Sequence, residues 1–372
     1  MSVICREIIN MIEELAPLHL AESWDNPGLQ VGDPGNAVTK AVIALDVSLE
    51  VVREAVEIGA GMIISHHPLI FSPLKSLNFS KPSGQLLESI IKSGLTVYSA
   101  HTNLDIASGG VNTVLAGLLN LEHRVVLQAT GSERYVKLVV FIPDGHVPEV
   151  HQAISAAGAG WIGNYSHCAF QTPGTGMFKP GPGTNPYIGE EGKLSEAGET
   201  RLETIVPKSG LAAVLQAMCD AHPYEEVAYD LYPLDNQGPA YGLGLVGSVS
   251  DQPTFGALVS RVKEALNLDG VKAGGEMNRK IQKAAVCGGA GVKLWPQAAS
   301  LGAEVFITGD IGYHDARNML EAGLCFIDAG HYGTEIPVIP ALRDYLEQQR
   351  RQKGWEVEFI LSKINGDPFK IL

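Results

Sequence analysis

The sequence predicts an α/β fold in which two similar α/β halves form one core, with a ferredoxin-like (βαββαβ) α+β domain inserted between them. Three observations lead there. Short apolar, β-branched runs alternate with amphipathic helical patterns in residues 1–130 and again in 236–372, as βαβ units with parallel strands require. Between them, residues 131–235 change to the order βαββαβ, which is self-contained. In each flanking segment three successive strands end in loops rich in Gly, Asp or His, a weak internal repeat.

Taken in order, Ser2 is placed to cap a helix whose apolar positions Ile4, Ile8, Met11, Ile12 and Leu15 recur at helical spacing, and Pro17 stops it. Ser23 to Gly32 reads as a turn-rich loop whose Trp24 and Asp25 either line a pocket or fold the loop itself. Ala41 to Leu45 reads as a strand ending at Asp46, and Ser48 caps a helix to about Ile58. The next strand runs through Met62-Ile63-Ile64-Ser65 into His66 and His67, where Pro68 stops it. A helix over Gly84–Lys92, a strand over Leu95–Ser99 running out to His101 and Asp105, and a helix over Val111–Leu119 close the first segment.

In the insert, strands are expected at Val136–Ile142 and Val227–Tyr232, helices at Pro148–Ala157 and Leu211–Ala221, and two strands within Ser166–Val206 around a Gly/Pro-rich excursion. Gly174 to Phe178 reads as a hairpin connection. The second flanking segment has strands at Lys283–Val286, Val305–Thr308, Cys325–Ile327 and Val357–Leu361. The first three open on Cys287-Gly288-Gly289-Ala290-Gly291, on Gly309-Asp310 and on Asp328-Ala329-Gly330-His331, with a helix after each. The Gly288 to Gly291 loop fits no phosphate-binding pattern and reads as a tight turn.

Composition narrows the function classes. A formal charge of −14 over 372 residues argues against a general nucleic-acid-binding surface, which needs clustered Lys and Arg. No apolar run reaches the roughly 18 residues of a membrane span, and the N-terminus lacks signal-peptide character, so a cytoplasmic protein is expected. The five cysteines are scattered without a C-x-x-C pair, which indicates neither a disulfide framework nor a thiolate zinc site.

Two adjacent imidazoles at the end of an apolar strand have few structural uses, and at a turn both can converge on one ion. His331 and Glu335, four apart at a helix start, share a face. With His66, His67 and Asp105 they make three imidazoles and two carboxylates, a set that suits two divalent ions bridged by a carboxylate. Zn is the expected metal, with Fe, Mn, Co or Ni as alternatives. His101, Asp310 and His314 lie on the same rim as catalytic candidates, carrying protons or supporting the ligands. His19, His123, His146, His151, His167 and His222 read as structural or solvated.

Trp24-Asp25-Asn26-Pro27-Gly28-Leu29-Gln30-Val31-Gly32, Ser65 to Phe71, His101 to Asp105, Thr308 to Asp315 and Asp328 to Glu335 resemble the signature blocks of one family. It is the NGG-interacting-factor-like family, whose members are often labelled GTP cyclohydrolase I type 2 homologs. The middle segment, above all His222 to Asp230, is similar to the ferredoxin-like trimer-forming domains of nitrogen-regulatory and copper-tolerance proteins. The resemblance implies a di-metal centre with His67 and Asp105 on one ion, His66 and His331 on the other, and Glu335 bridging. It also implies a toroidal homohexamer and, through the family label, opening of the guanine ring of GTP by metal-activated water. Two function classes follow: a metal-dependent hydrolase of a nucleotide or other small phosphorylated or cyclic-amide compound, and a metal-dependent regulatory or ligand-sensing protein without turnover.

Overall fold

Strands that must be covered on both faces need near-continuous apolar runs, and the chain supplies them in two sets. The computed structural model describes residues 3–371. Up to residue 118 it contains β1 (Val3–Ile4), α1 (Cys5–Leu15), β2 (Gly28–Val31), β3 (Ala37–Val38), β4 (Lys40–Ala44), α2 (Leu49–Glu57), β5 (Met62–Ser65), α3 (Pro82–Lys92), β6 (Thr96–Ser99), α4 (Thr102–Ile106) and α5 (Val111–Leu118). There follow β7 (Glu122–Pro143), α6 (Val147–Ala156), β8 (Ala169–Phe178), β9 (Ser195–Pro207), α7 (Leu211–Ala221) and β10 (Tyr229–Ser248). The remainder is α8 (Phe255–Ala265), β11 (Lys272–Gly274), β12 (Lys283–Val286), α9 (Trp295–Ser300), β13 (Val305–Thr308), α10 (Tyr313–Glu321), β14 (Cys325–Asp328), α11 (His331–Glu335), α12 (Val338–Lys353) and β15 (Glu358–Leu361). The fold is thus mixed α/β.

The chain divides into two compact units, Met1–Thr130 with Tyr241–Leu372, and Gly131–Ala240. In the first unit, β4, β5 and β6 lie side by side and parallel, with β15 parallel beside β4 and β2 antiparallel beside β6. Every residue of β5 and β6 is buried. On one face Val51, Val52 and Ala55 of α2 pack with Ile63, Ile90 and Val97. On the other, Ile8 and Ile12 of α1 and Leu342 and Leu346 of α12 pack with Ile43, Ile64 and Tyr98. A second parallel set, β12, β13 and β14, is flanked by antiparallel β10 and β11. Phe255, Leu258 and Val262 of α8 cover one side of it, while Ala298 and Met319 of α9 and α10 cover the other.

The second unit holds strands in the order β10, β7, β9, β8, with β9 antiparallel to both β7 and β8. Val150 and Ile154 of α6 and Val214 and Met218 of α7 pack on Leu138, Val140 and Leu202.

Local chemistry explains some of the helix starts. Ser48 Oγ accepts from the Val51 N–H at 3.3 Å and opens α2. The proposed Ser2 cap lies outside the described residues; α1 instead begins with the Ile4 N–H donating to Glu7 Oε2 at 2.9 Å. Several elements differ from expectation. Gly28 to Val31, read as loop, is an edge strand, because the turn signals of Asn26-Pro27-Gly28 obscure a four-residue pairing on β6. Gly174 to Phe178 is not a hairpin connection: these residues continue β8 in unbroken register with β9, from Gly174 opposite Glu199 to Phe178 opposite Ser195. The strands β7 and β10 extend far beyond their apolar portions, because exposed polar residues can hold a ladder without any period of burial. The last strand, β15, pairs parallel with β4, and Val357 and Phe359 turn into the α1 and α12 side of that sheet.

Ile64 is fully buried at the centre of this packing. Ile64→Ala is expected to lower the unfolding free energy by about 2–5 kcal/mol, measured by urea titration of metal-free protein. A loss below about 1 kcal/mol would show that the region repacks around the deleted atoms.

Candidate metal centre

The site is built at the carboxyl ends of the two parallel strand sets of the first unit. After β5 the chain continues along the end of β4, with the His66 N–H on Ala44 O at 3.3 Å and the His67 N–H on Leu45 O at 2.9 Å. The hydroxyls of Ser65 and Ser99 both donate to the His67 carbonyl, which fixes the turn before Pro68. After β6, α4 raises Asp105 toward the same point, its N–H on His101 O at 2.9 Å. After β14, Gly330 takes φ +79°, a left-handed turn that Gly adopts without strain, and α11 then sets His331 and Glu335 one turn apart.

Each of four imidazoles commits Nδ1 to a fixed oxygen. His66 Nδ1 lies 2.8 Å from the Ala100 carbonyl, and His67 Nδ1 lies 2.7 Å from Asp46 Oδ1. His101 Nδ1 is 2.7 Å from Asp25 Oδ1, and His331 Nδ1 is 2.8 Å from Asp310 Oδ2. A carbonyl can only accept, so His66 carries a proton on Nδ1; with Nδ1 of the others likewise donating to a carboxylate, Nε2 is the atom each ring offers to an ion once any proton there has left. The Nε2 atoms of three of them surround Glu335. His67 Nε2 and His331 Nε2 are 2.9 and 3.2 Å from Glu335 Oε2, and His66 Nε2 is 3.8 Å from Oε1 and 3.6 Å from Asp105 Oδ1.

Three overlapping groups arise: His66, Asp105 and Glu335; His67, His331 and Glu335; and His66, His67 and His101. The donor set fits a metal ion. His66 Nε2 and Asp105 Oδ1 are buried and have no hydrogen-bond partner among the described residues, so each is a costly orphan unless something else ligates it. Ligand atoms about 2.1 Å from a tetrahedral ion lie about 3.4 Å apart, close to the spacings around Glu335. The pairing differs from the one the resemblance implies. His66 groups with Asp105 and His67 with His331, because the two oxygens of Glu335 face different imidazoles.

Electrostatics bear the same mark. Burial alone would depress His67, but hydrogen bonds to Asp46 and Glu335 prevail and raise it to about 10. Glu335 also raises His331, to about 9, against burial and with help from Asp310. Burial would raise Glu335, yet His331, His66 and His67 hold it well below the usual carboxylate range. Asp105, buried and facing Glu335, is pushed up to about 6 despite His66. Cys287 lies buried beneath, and burial, reinforced by Asp105 and Glu335, pushes its thiol up, so no thiolate joins the set.

The glycine turn after β12 makes room for this carboxylate. A Cβ on Gly289, at φ +61°, would stand 2.1 Å from Glu335 Oε1 and 3.3 Å from His331 Nε2. Its N–H donates to Thr334 Oγ1 at 2.9 Å.

Of the residues expected from the sequence, His66, His67, Asp105, His331 and Glu335 converge here, joined by His101. Asp310 reaches the site through His331. His314 is exposed on α10 with its ring against Tyr313, outside all three groups. Asp46 and Asp25 as imidazole partners, the Ala100 carbonyl and the Gly289 gap are not apparent from the sequence; position at a strand end is the only signal Asp46 carries.

The family model for Duf34/NIF3 (NGG1p interacting factor 3) matches residues 3–368. The chain belongs to the DUF34/NIF3 family. It is 41% identical over 365 residues to a Halalkalibacterium halodurans protein named GTP cyclohydrolase 1 type 2 homolog, covering 98% of each chain. A Bacillus subtilis protein of the same name is 40% identical over 371 residues, 100% of this chain and 99% of that one. A crystal structure of a Bacillus cereus protein related to NIF3 superposes with TM-score 0.91 at 43% identity, covering both chains fully. A Staphylococcus aureus structure superposes with TM-score 0.73 at 30% identity, covering 100% of this chain and 99% of that one. The family is the one that the signature blocks resemble.

Two outcomes test this geometry. Gly289→Ala is expected to cut bound metal per chain by at least about tenfold at limiting metal, measured by plasma mass spectrometry, because Glu335 must move. His67 and His331 hold protons at neutral pH in the metal-free chain, and an ion must displace them. Apparent metal affinity should therefore rise with pH until about 9 to 10, with proton release visible by calorimetry in buffers of different ionisation heat. The sign for metal-free stability is opposite: values raised above about 6.5 contribute fully below it and fade as pH climbs toward the folded values.

Proposed function

We propose that this DUF34/NIF3 member is a metal-dependent hydrolase in which His66, Asp105 and Glu335 would hold one divalent ion and His67, His331 and Glu335 a second. The supporting observation is the split carboxylate, Oε1 toward His66 and Oε2 toward His67 and His331, beside the unpartnered His66 Nε2 and Asp105 Oδ1. When bound, such ions supply Lewis acidity and lower the pKa of a water. The nitrogen and oxygen donors suit zinc, with iron, manganese, cobalt or nickel as alternatives. The substrate class is a nucleotide or another small phosphorylated or cyclic-amide compound, GTP being the first to try in view of the relatives' name.

Within that reading the chain's own groups have distinct tasks. His101, backed by Asp25 and with its ring 5.3 Å from that of His66 and 5.8 Å from that of His67, holds or moves a proton. Asp46 and Asp310 are positioning residues for His67 and His331. His314 has no part, being exposed.

The same reading takes residues 1–130 and 236–372 as core halves and 131–235 as a ferredoxin-like domain, supported by the strand order β10, β7, β9, β8 with both helices packed on the sheet. It also takes the protein as a cytoplasmic homohexamer; exposed Trp161, Tyr165 and Phe170 of the second unit suit an assembly surface.

The test is turnover of GTP and a nucleotide panel by metal-loaded protein beside Asp105→Ala. Wild type is expected to turn over at least one compound, and the variant to lose at least about 100-fold in rate. If both are equally inert while both bind the same nucleotide, the hydrolase reading fails and the regulatory one stands.

A further inference from the structure

The second unit holds a cavity of about 440 Å³ that the metal chemistry does not use. Its walls are largely apolar: Phe141, Met177, Phe178, Tyr187 and Tyr224 line it. Its charged groups are unbalanced, with Glu199, Glu225 and Glu226 against Lys179 alone. A concave, mostly apolar wall with a few placed polar groups is the usual form of a small-ligand site.

The placement of Glu199 sets this cavity apart from an acidic surface. Only 9% of Glu199 is exposed, on β9. The Tyr224 hydroxyl donates to its Oε1 at 2.9 Å. The carboxylate lies over Gly176, where a Cβ would stand 2.2 Å from Oε2. The facing strand is thus bare where this side chain must fit. Tyr224 is held in turn by His222, whose Nδ1 accepts from the Tyr224 N–H at 3.1 Å while Nε2 meets Phe141 O at 3.0 Å. The Gly/Pro-rich excursion between β8 and β9 forms the remaining wall. The Asn185 N–H donates to Glu225, and Tyr187 O–H pairs with His146 Nε2 at 3.0 Å. The rings of Phe178 and Tyr187 each lie 6.1 Å from that of Tyr224.

Aromatic rings present their negative faces to cations, and a carboxylate removed from water attracts one more strongly than an exposed carboxylate does. We propose that this cavity binds a small organic cation, an ammonium attached to an apolar body, with Glu199 as counter-ion and Tyr187 and Tyr224 as the aromatic wall. An anion would face three carboxylates, and a neutral apolar molecule would cover the Glu199 carboxylate and offer its charge no counter-ion.

The experiment is calorimetric titration of the full chain with phenethylammonium, 2-phenylethanol and phenylacetate, which share one body and differ in charge. The cation is expected to bind at least about tenfold more tightly than the alcohol, with no detectable binding of the acid. Glu199→Gln is expected to abolish the preference for the cation, while Tyr187→Ala, on the exposed side of the cavity, weakens the cation several-fold. Near-ultraviolet circular dichroism verifies that both variants keep their fold. Equal binding of cation and alcohol by wild type, cation affinity unchanged in both variants, or no saturable binding of phenethylammonium would each overturn the proposal.

Discussion

A single buried carboxylate, that of Glu335, holds the centre together. Its side chain is 5% exposed and sits among the Nε2 atoms of His66, His67 and His331. An unpaired charge so far from water is strongly destabilising, so these imidazoles are as much a condition of folding around Glu335 as ligands in waiting. The constraint reaches the backbone. Gly289 must lack a side chain, and Gly330 must turn left-handed before α11 for His331 and Glu335 to face inward together.

Around that carboxylate the supporting bonds form a graded shell. His66, fully buried, is oriented by a main-chain carbonyl, whereas the more accessible His67 and His331 are oriented by carboxylates. A carbonyl acceptor fixes the tautomer of His66 without adding a charge behind the ring, while Asp46 and Asp310 add negative charge that favours any cation at the ring, proton or metal. The two sides of the site are therefore electrostatically unequal, although they share Glu335.

Much of this was legible in the primary structure because it depends on short spacings. His66 and His67 follow an apolar strand, and His331 and Glu335 are one helical turn apart, so both pairs are local facts. Strand Val305–Thr308 and helix Leu211–Ala221 have the bounds that their apolar periods indicate. What was not legible depends on tertiary placement. The partners of the imidazole Nδ1 atoms lie from 21 to 76 residues away at His67, His101 and His331, and nothing in Asp46 or Asp25 distinguishes them from other turn aspartates. Which imidazole groups with Asp105 was likewise hidden, since it depends on the orientation of one carboxylate. The long strands β7 and β10 escaped because their outer portions bury no face, and α8 because a glycine-rich approach masked the Phe255, Leu258, Val262 stripe.

The distance along the chain between His67 and Glu335, 268 residues, has a consequence during synthesis. A ribosome translating this message releases His66, His67 and Asp105 long before their acidic counterpart exists, with the whole second unit made in between. Until α11 emerges, the growing polypeptide offers His66, His67, His101 and Asp105 without His331 and the Glu335 carboxylate that joins the groups. An ion held by the complete set could therefore be enclosed only once α11 has been made and docked beside β5 and β6.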